Sequence, residues 1–523
     1  MEKKLLFGVF TQKLSIPASI FSAYAKNQKG WMPHIVGFDD TDDEVAIAEK
    51  IAAFHPNLLA LTIKTFERTT AFRVAKVAKS MGVKVIAGGV HPTYVPEDLV
   101  KSGLFDAIVV GDGLGILDDL LDGYSNLEDS EIIVGKRHNN LNFYTDLFYT
   151  DEQVDVIRDL QRFDVLTTAG CMYKCTFCAT DFNFHKYPID RCAQNIIDMH
   201  AKTGFKSVSV LDDIFTMNPK RIGQLRHHLE DAGLSFSYIM NARASLFTEE
   251  VADELMALGP FEPIFGVETA SPKLAKFLNK EGTAVDAYNA WKVCQKTGVP
   301  FCINLLIGLP TQDREDYELT LDFIRKTQPD NINIFHFTPF PGAGLYEYCI
   351  ENDYMPDGWN FDSYLGMEKH LTDFRGYREG FGILKKVDYD LAREYKEKFE
   401  AEMYREKDAL ILSICDDADS KPWTIFGGGD YFYRILERME KYKGRWHNFL
   451  GFHDYKKSFY FQKRRYFFDI PEYSWNSNDN TKPHTVVVTN HKGKGKFEDV
   501  DLPKLRGEYN FDGEIKSLGT YQY

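Results

Sequence analysis

Cysteine is scarce in this chain: 523 residues carry eight. That is too few for a secreted scaffold stapled by disulfides. Three of them nevertheless fall between positions 171 and 178, and none precedes Cys171. Long apolar runs are missing as well. No stretch approaches the ~18 consecutive apolar residues of a membrane-crossing helix. The opening "MEKKLLFGVF" has a basic tip, but its apolar run stops at Thr11 and Gln12 and breaks at Pro17, unlike a signal peptide. Positive charge is in deficit: 62 Lys and Arg against 77 Asp and Glu give a formal net charge of -15. Such a balance argues against general binding to nucleic acid or anionic membranes. Internal repeats are absent. What is left is a globular chain, expected in the cytoplasm, whose clustered thiols point to metal in a reducing compartment. At ~100–200 residues per domain the length suggests about three domains.

The first ~125 residues alternate apolar runs with amphipathic ones. "KLLFGVF" (4–10), "HIVGF" (34–38), "LLALTI" (58–63), "VKVIAGG" (83–89) and "DAIVVGDG" (106–113) read as buried strands. In "TDDEVAIAEKIAAF", Thr41 with Glu44 three residues on reads as a capping box. Strands alternating with helices predict a parallel sheet covered on both faces, a Rossmann-like or flavodoxin-like α/β domain. Ligands on such sheets sit beyond the carboxyl ends of the strands, here Thr11, "TIKT" (62–65), "GGVHPT" (88–93) and "GDG" (111–113).

Residues ~126–160 are polar and aperiodic, as a connector would be. A second alternation follows, with strands expected at 163–170, 207–213, 236–243, 263–269, 301–310 and 331–340. Six βα units predict a full or partial barrel, whose working residues sit at the carboxyl ends of its strands. The resulting division is a first domain over 1–135, a linker over 136–160, a partial (βα)6 barrel over 161–375 and a mainly helical or mixed region over 376–523. That last region is rich in aromatics and holds "GGG" (427–429), "KGKGK" (492–496) and "KKSFYFQKRRYFF" (456–468). The last of these interleaves basic and aromatic residues, as single-strand binders do. A packed, amphipathic element with exposed Lys and Arg is the simpler reading, so no stable nucleic-acid partner is expected.

Cys171, Cys175 and Cys178 have the spacing C-x3-C-x2-C, with Phe177 before the last. Three thiolates on one short loop can hold three irons of a 4Fe–4S cluster, leaving the fourth iron without a protein ligand. A zinc site would need a fourth ligand, for which His185 or Cys192 could be offered, and neither completes a familiar zinc spacing. The motif resembles the signature of the radical S-adenosylmethionine (SAM) superfamily. "LDDIFTMN" (211–218), "NAR" (241–243), "GVETAS" (266–271) and "INLLIGLPTQD" (303–313) resemble its SAM-lining segments, and "PFPGAG" (339–344) the segment after the sixth strand. The resemblance implies that SAM occupies the open iron. It also implies that Asp212 or Asp213, Asn241, Arg243 and Glu268 meet its polar groups, and that backbone near Ile307 and Gly308 meets its adenine.

A Rossmann-like domain ahead of such a barrel resembles the cobalamin-binding radical SAM class. "GGVHPTYVPEDLV" (88–100) and "VVGDG" (109–113) resemble it in detail. By that resemblance Gly88, Gly89, His91, Gly111 and Gly113 lie near a corrinoid, and Thr62, Lys64 and Thr65 near its nucleotide tail. The D-x-H-x-x-G string of many cobalamin proteins is absent. His91 stands either as a cobalt ligand or as a cap on the turn before Pro92. Lacking cysteines before Cys171, the chain does not resemble radical SAM methylthiotransferases. The class implies methylation of an unactivated carbon of a small-molecule substrate, through a 5′-deoxyadenosyl radical and methylcobalamin. Radical cyclisation or oxidation is the alternative, and a flavodoxin- or ferredoxin-type reductant the expected partner. An iron–sulfur electron carrier would usually fill all four iron positions with cysteine. Changing Cys171, Cys175 and Cys178 together to Ala is expected to abolish cluster iron and leave corrinoid in place, as measured by iron and corrinoid per chain after anaerobic expression with hydroxocobalamin.

Overall fold

The computed structural model describes residues 2–10, 14–127, 130–180, 184–280, 282–364, 384–426, 447–453, 483–488, 505–506 and 513–517. Thr11 and the segments 427–429, 456–468 and 492–496 lie outside the described residues. The chain forms two compact units, Met1–Glu400 and Ala401–Tyr523.

The first unit opens with six parallel strands: β1 (Lys4–Phe10), β2 (Met32–Phe38), β3 (Leu58–Thr62), β4 (Lys84–Gly88), β5 (Ala107–Val110) and β6 (Glu131–Val134). Their order is β2-β1-β3-β4-β5-β6. The apolar runs are what a sheet covered on both faces requires: Leu5, Leu6, Leu58, Leu59 and Val85 are fully buried. All five expected strands are present. The sixth, "EIIV", lies in the stretch read as a connector, as does the helix Asp151–Leu160. An edge strand exposed along most of its length needs no apolar period, so β6 left no signal. The helix is announced only by its capping box, Thr150 with Gln153. The strand order reverses between β1 and β3, and a ligand crevice belongs beyond their carboxyl ends.

The second sheet consists of β7 (Arg162–Val165), β10 (Ser207–Val210), β11 (Ser237–Ala242), β12 (Phe261–Glu268), β13 (Cys302–Ile307) and β14 (Asn331–His336). They run parallel in the order β14-β13-β12-β11-β10-β7, a sequential half-barrel. A short antiparallel pair, β8 (Thr168–Ala169) with β9 (His185–Lys186), stands beside it. The helix Tyr389–Ala418 leads into the second unit. There β15 (Trp423–Phe426), β16 (Phe449–His453), β17 (Thr485–Val488) and β18 (Glu514–Ser517) form a parallel sheet in the order β16-β15-β17-β18. The C-terminal region is therefore mixed. Among the described residues no helix is long and apolar enough to cross a membrane.

A half-buried polar knot ties helices of the first domain to the segment after the half-barrel. The Asp98 carboxylate accepts from Arg68 (Nη2, 2.9 Å) and faces His91 Nε2 at 3.1 Å. The same guanidinium reaches Asp362, beyond the half-barrel, at 2.7 Å. Burial opposes ionisation of Asp98, but hydrogen bonds from His91 and Arg68 outweigh it and hold its pKa down at about 2. A depressed carboxylate stabilises the fold above its unfolded pKa of about 4 and loses that contribution as the pH falls through its folded value. Wild type is expected to lose on the order of 2 kcal/mol from this group between pH ~4 and ~2. In urea titrations across that range, Asp98→Asn is expected to start less stable and to show a correspondingly flatter acid limb.

Candidate active site

Cys171, Cys175 and Cys178 lie on the loop that follows β8, at the carboxyl end of β7, all three half-buried and none in a disulfide. The loop is clamped from two sides. Thr176 donates from its N–H to Leu278 O (3.1 Å) and from Oγ1 to Phe277 O (3.0 Å), while its own carbonyl accepts from Leu345 N–H (2.7 Å). Asn279 Nδ2 donates to Lys174 O at 2.7 Å. The thiols meet polar neighbours: Tyr173 N–H points at Cys171 Sγ (3.5 Å) and Cys178 Sγ donates to Thr180 Oγ1 (3.1 Å). Arg243 stacks on the Tyr173 ring at 3.7 Å, with Nη1 4.0 Å from Cys175 Sγ. Burial pushes the Cys171 thiol up, and Asp213, Cys178 and Cys175 push it further against the Tyr173 N–H. Coordination to iron removes such protons outright.

Among the described residues no three His, Cys, Asp or Glu side chains converge as ligands of one ion. A cubane asks for something else, since each thiolate takes a different iron. Cys192 is fully buried and points at Leu166 O, its pKa pushed up to about 12 by burial. His185 is held in β9. The donor set therefore fits a cluster carried by three thiolates, with Arg243 beside it.

The residues that the resemblance sets beside SAM are placed as follows. Asp212 is fully buried and accepts from Thr167 N–H (2.6 Å), Thr167 Oγ1 (2.6 Å) and Thr168 N–H (3.0 Å). Burial raises its pKa in spite of those bonds. Its carboxylate is engaged by the backbone that links β7 to β8. Asp213 is exposed, 3.5 Å from Thr180 Oγ1 on the cluster loop. Asn241 is exposed near the end of β11, two residues before Arg243. Ile307 is buried, and Gly308 N–H already donates to Tyr317 Oη (3.1 Å).

Glu268 ends β12 at a bulge, with φ +65°. It pairs with Lys280 at 2.9 Å, both nearly buried, and Lys280 lies 5.8 Å from the Phe177 ring of the cluster loop. The pair fills the space left bare by Gly266, where a Cβ would meet Glu268 Oε1 at 2.5 Å. Beside Gly266 in register stands Asn304, which accepts from Asn333 of β14 at 2.9 Å. Sequence reasoning missed Lys280, Asn304 and Asn333. Lys280 follows a helix end and looks like an ordinary surface lysine. The two asparagines carry a cue, each being a polar residue inside an apolar strand. It missed His336 too, whose buried Nδ1 has no hydrogen-bond partner and whose pKa burial, Lys396 and Arg393 lower to about 4.

In the first domain, a cavity of about 240 Å³ opens at the switch point. Phe10, Thr62, Lys64 and Glu67 line it from the first sheet, and Tyr149, Asp164, Leu166 and Leu211 from the half-barrel side. Burial raises the Asp164 pKa against Arg162, and burial together with Asp164 raises that of Tyr149. Thr65 and His91 face elsewhere. His91 is fully buried, held by Asp98 on one nitrogen and 3.4 Å from Thr65 Oγ1 on the other. Gly88 closes β4 and Gly89 turns with φ +103°. Thr93 Oγ1 donates to Gly89 O (2.7 Å) and accepts from Gly111 N–H (3.0 Å), tying the β4 and β5 loops together. Gly113 is buried at the start of the next short turn. A crevice at the reversal of strand order, with a glycine-turned rim and at its base a mainly apolar cavity that carries Thr62, Lys64, Glu67 and Asp164, fits a large ligand with a nucleotide tail.

Residues 165–324 match the model of the radical SAM superfamily, and residues 14–121 that of the B12 binding domain. An uncharacterized methyltransferase of Pyrococcus horikoshii is 29% identical over 59% of this chain and 72% of its own length. Bacteriochlorophyllide d C-12(1)-methyltransferase of Chlorobaculum tepidum is 22% identical over 63% of this chain and 76% of its own length. The solved structure of the cobalamin-dependent SAM radical enzyme OxsB, with aqua-cobalamin and SAM bound, is 14% identical and superposes with a TM-score of 0.57. It covers 84% of this chain and 71% of that one. The radical SAM methyltransferase TsrM of Kitasatospora setae, with cobalamin and a [4Fe-4S] cluster bound, is 17% identical. It gives 0.53 over 67% and 75%. The chain thus carries a B12 binding domain followed by a radical SAM domain. These two domains bring a 4Fe–4S cluster, SAM and cobalamin as its cofactors.

Asp212→Ala strands three buried donors and is expected to cost about 3 kcal/mol or more. Asp213→Asn is expected to stay within ~0.5 kcal/mol. Urea denaturation of the cofactor-free chain measures both.

Proposed function

We propose that the protein transfers a methyl group to an unactivated carbon of a small molecule. The observation that carries this reading is the adjacency of the two cofactor loops. The short helix after β4, Val90–Tyr94, touches the cluster loop directly, Tyr94 Oη meeting Ala179 O at 3.2 Å. Methylation through a radical needs the methyl source, the hydrogen-abstracting group and the substrate carbon in one space. When bound, the cluster, SAM and cobalamin together supply a methyl group and a radical at carbon. The chain's part is placement. Cys171, Cys175 and Cys178 hold the cluster, with Arg243 and the Glu268–Lys280 pair on the SAM side. The 88–93 and 111–113 loops cradle the corrin, and Thr62 and Lys64 meet its tail in the cavity. Asn304 and Asn333 offer amide groups to a polar substrate inside the half-barrel. Half-buried cysteines leave an approach for a small electron-transfer protein of the flavodoxin or ferredoxin type, and the cytoplasm is the proposed location.

Relatives named as anaerobic magnesium-protoporphyrin IX monomethyl ester cyclase, 22% identical, favour cyclisation as the second reading. Cells expressing the protein and fed methyl-deuterated methionine separate the two. A small molecule that gains a CD3 group, and does so only when the three cysteines are intact, is the expected result. Cysteine-dependent loss of hydrogens from a metabolite, with no label gained, sinks methylation and supports the cyclase.

A further inference from the structure

We propose that Tyr94 is a positioning residue that fixes the separation of the two cofactors, an inference that rests on assigning the 88–93 loop to cobalamin and the 171–178 loop to the cluster. Tyr94 ends the short helix Val90–Tyr94, which begins immediately after Gly89. Its hydroxyl donates to the carbonyl of Ala179, the residue after Cys178. Its ring sits where Gly342 has no side chain. A Cβ at position 342 would lie 2.5–2.6 Å from three atoms of the ring. Gly342 also has φ +90°, in the left-handed region that glycine enters without penalty. Ring and glycine are complementary, and neither fits with a larger residue at position 342.

The segment that supplies this seat also grips the cluster loop, since Leu345 N–H donates to Thr176 O at 2.7 Å. Behind the ring the corrinoid loop is stiff. Thr93 bridges Gly89 and Gly111, and His91 is locked onto Asp98. Movement of either loop is therefore transmitted through Tyr94 and the 339–345 segment. The constraint has a chemical purpose. Reacting groups must stand about 3–3.5 Å apart, and a misplacement of about 1 Å can cost ~100-fold in rate. With its hydroxyl engaged by Ala179 O, Tyr94 sets that distance through contact, with no proton to deliver.

The test uses full-length protein loaded anaerobically with hydroxocobalamin, iron and sulfide. Cob(II)alamin and the reduced cluster each carry unpaired spin, so pulsed EPR reads their separation without any substrate. Wild type is expected to show one narrow distance. Tyr94→Ala and Gly342→Ala are expected to keep wild-type iron and corrinoid and to give a broadened distance distribution. Tyr94→Phe, which keeps the ring, is expected to stay narrow. An unchanged distance in both Tyr94→Ala and Gly342→Ala overturns the proposal. So does loss of corrinoid from Tyr94→Ala at wild-type iron, which would make Tyr94 a ligand contact. If wild type takes up iron but no corrinoid, the assignment of the first loop falls, and the proposal with it.

Discussion

In the proposed site, three thiolates reach three irons of one cubane from a single short loop that the half-barrel holds in place. A loop of this kind has no ladder of its own hydrogen bonds, so its geometry has to be imposed from outside. The clamp at Thr176 does this, reaching to Phe277 and Leu278 on one side and to Leu345 on the other. Those partners lie about a hundred residues or more away in the chain. The half-barrel exists to bring them there. β12 leads into the helix that ends at Phe277, and β14 into the segment that ends at Leu345.

Burial of polar groups organises the remainder. Three carboxylates near the site have partners that counter their desolvation, although for Asp212 burial still dominates. Asp212 has three donors, Asp98 has Arg68 and His91, and Glu268 has Lys280. These groups divide the labour. Asp212 and Asp98 hold backbone and domains in place. Glu268, on a bulged strand in a backbone conformation that non-glycine residues avoid, pairs with Lys280, which follows the next helix and lies near the cluster loop. The same logic separates two residues expected on one ligand: His91 belongs to the Asp98 knot, whereas Lys64, just after β3, lines the cavity at the switch point.

Much of the fold was legible in the sequence. Strands buried on both faces are written as unbroken apolar runs, so the expected strands of both sheets stand where those runs are. The cysteine spacing carried the cofactor chemistry, because few uses of three close thiols leave a fourth position open. Parts that obey no period were not legible. β6 is exposed, and the helix Asp151–Leu160 lies in a stretch whose polarity reads as a linker. Lys280 is an ordinary lysine until the bare space over Gly266 draws it inward.

The sequence by itself determined two parallel sheets in tandem, a three-thiolate loop after the first barrel strand and a glycine-turned rim on the first sheet. These follow from local facts: side-chain polarity along a strand, and ligand number at a metal. Only the tertiary structure decided which of two adjacent aspartates is spent on a backbone, where His91 points and what seats the cluster loop. It alone decided that Tyr94 of one domain rests on Gly342 of the other. Those outcomes depend on groups far apart in the chain competing for the same buried donors and the same empty space. That competition is settled only when the sheets are packed together.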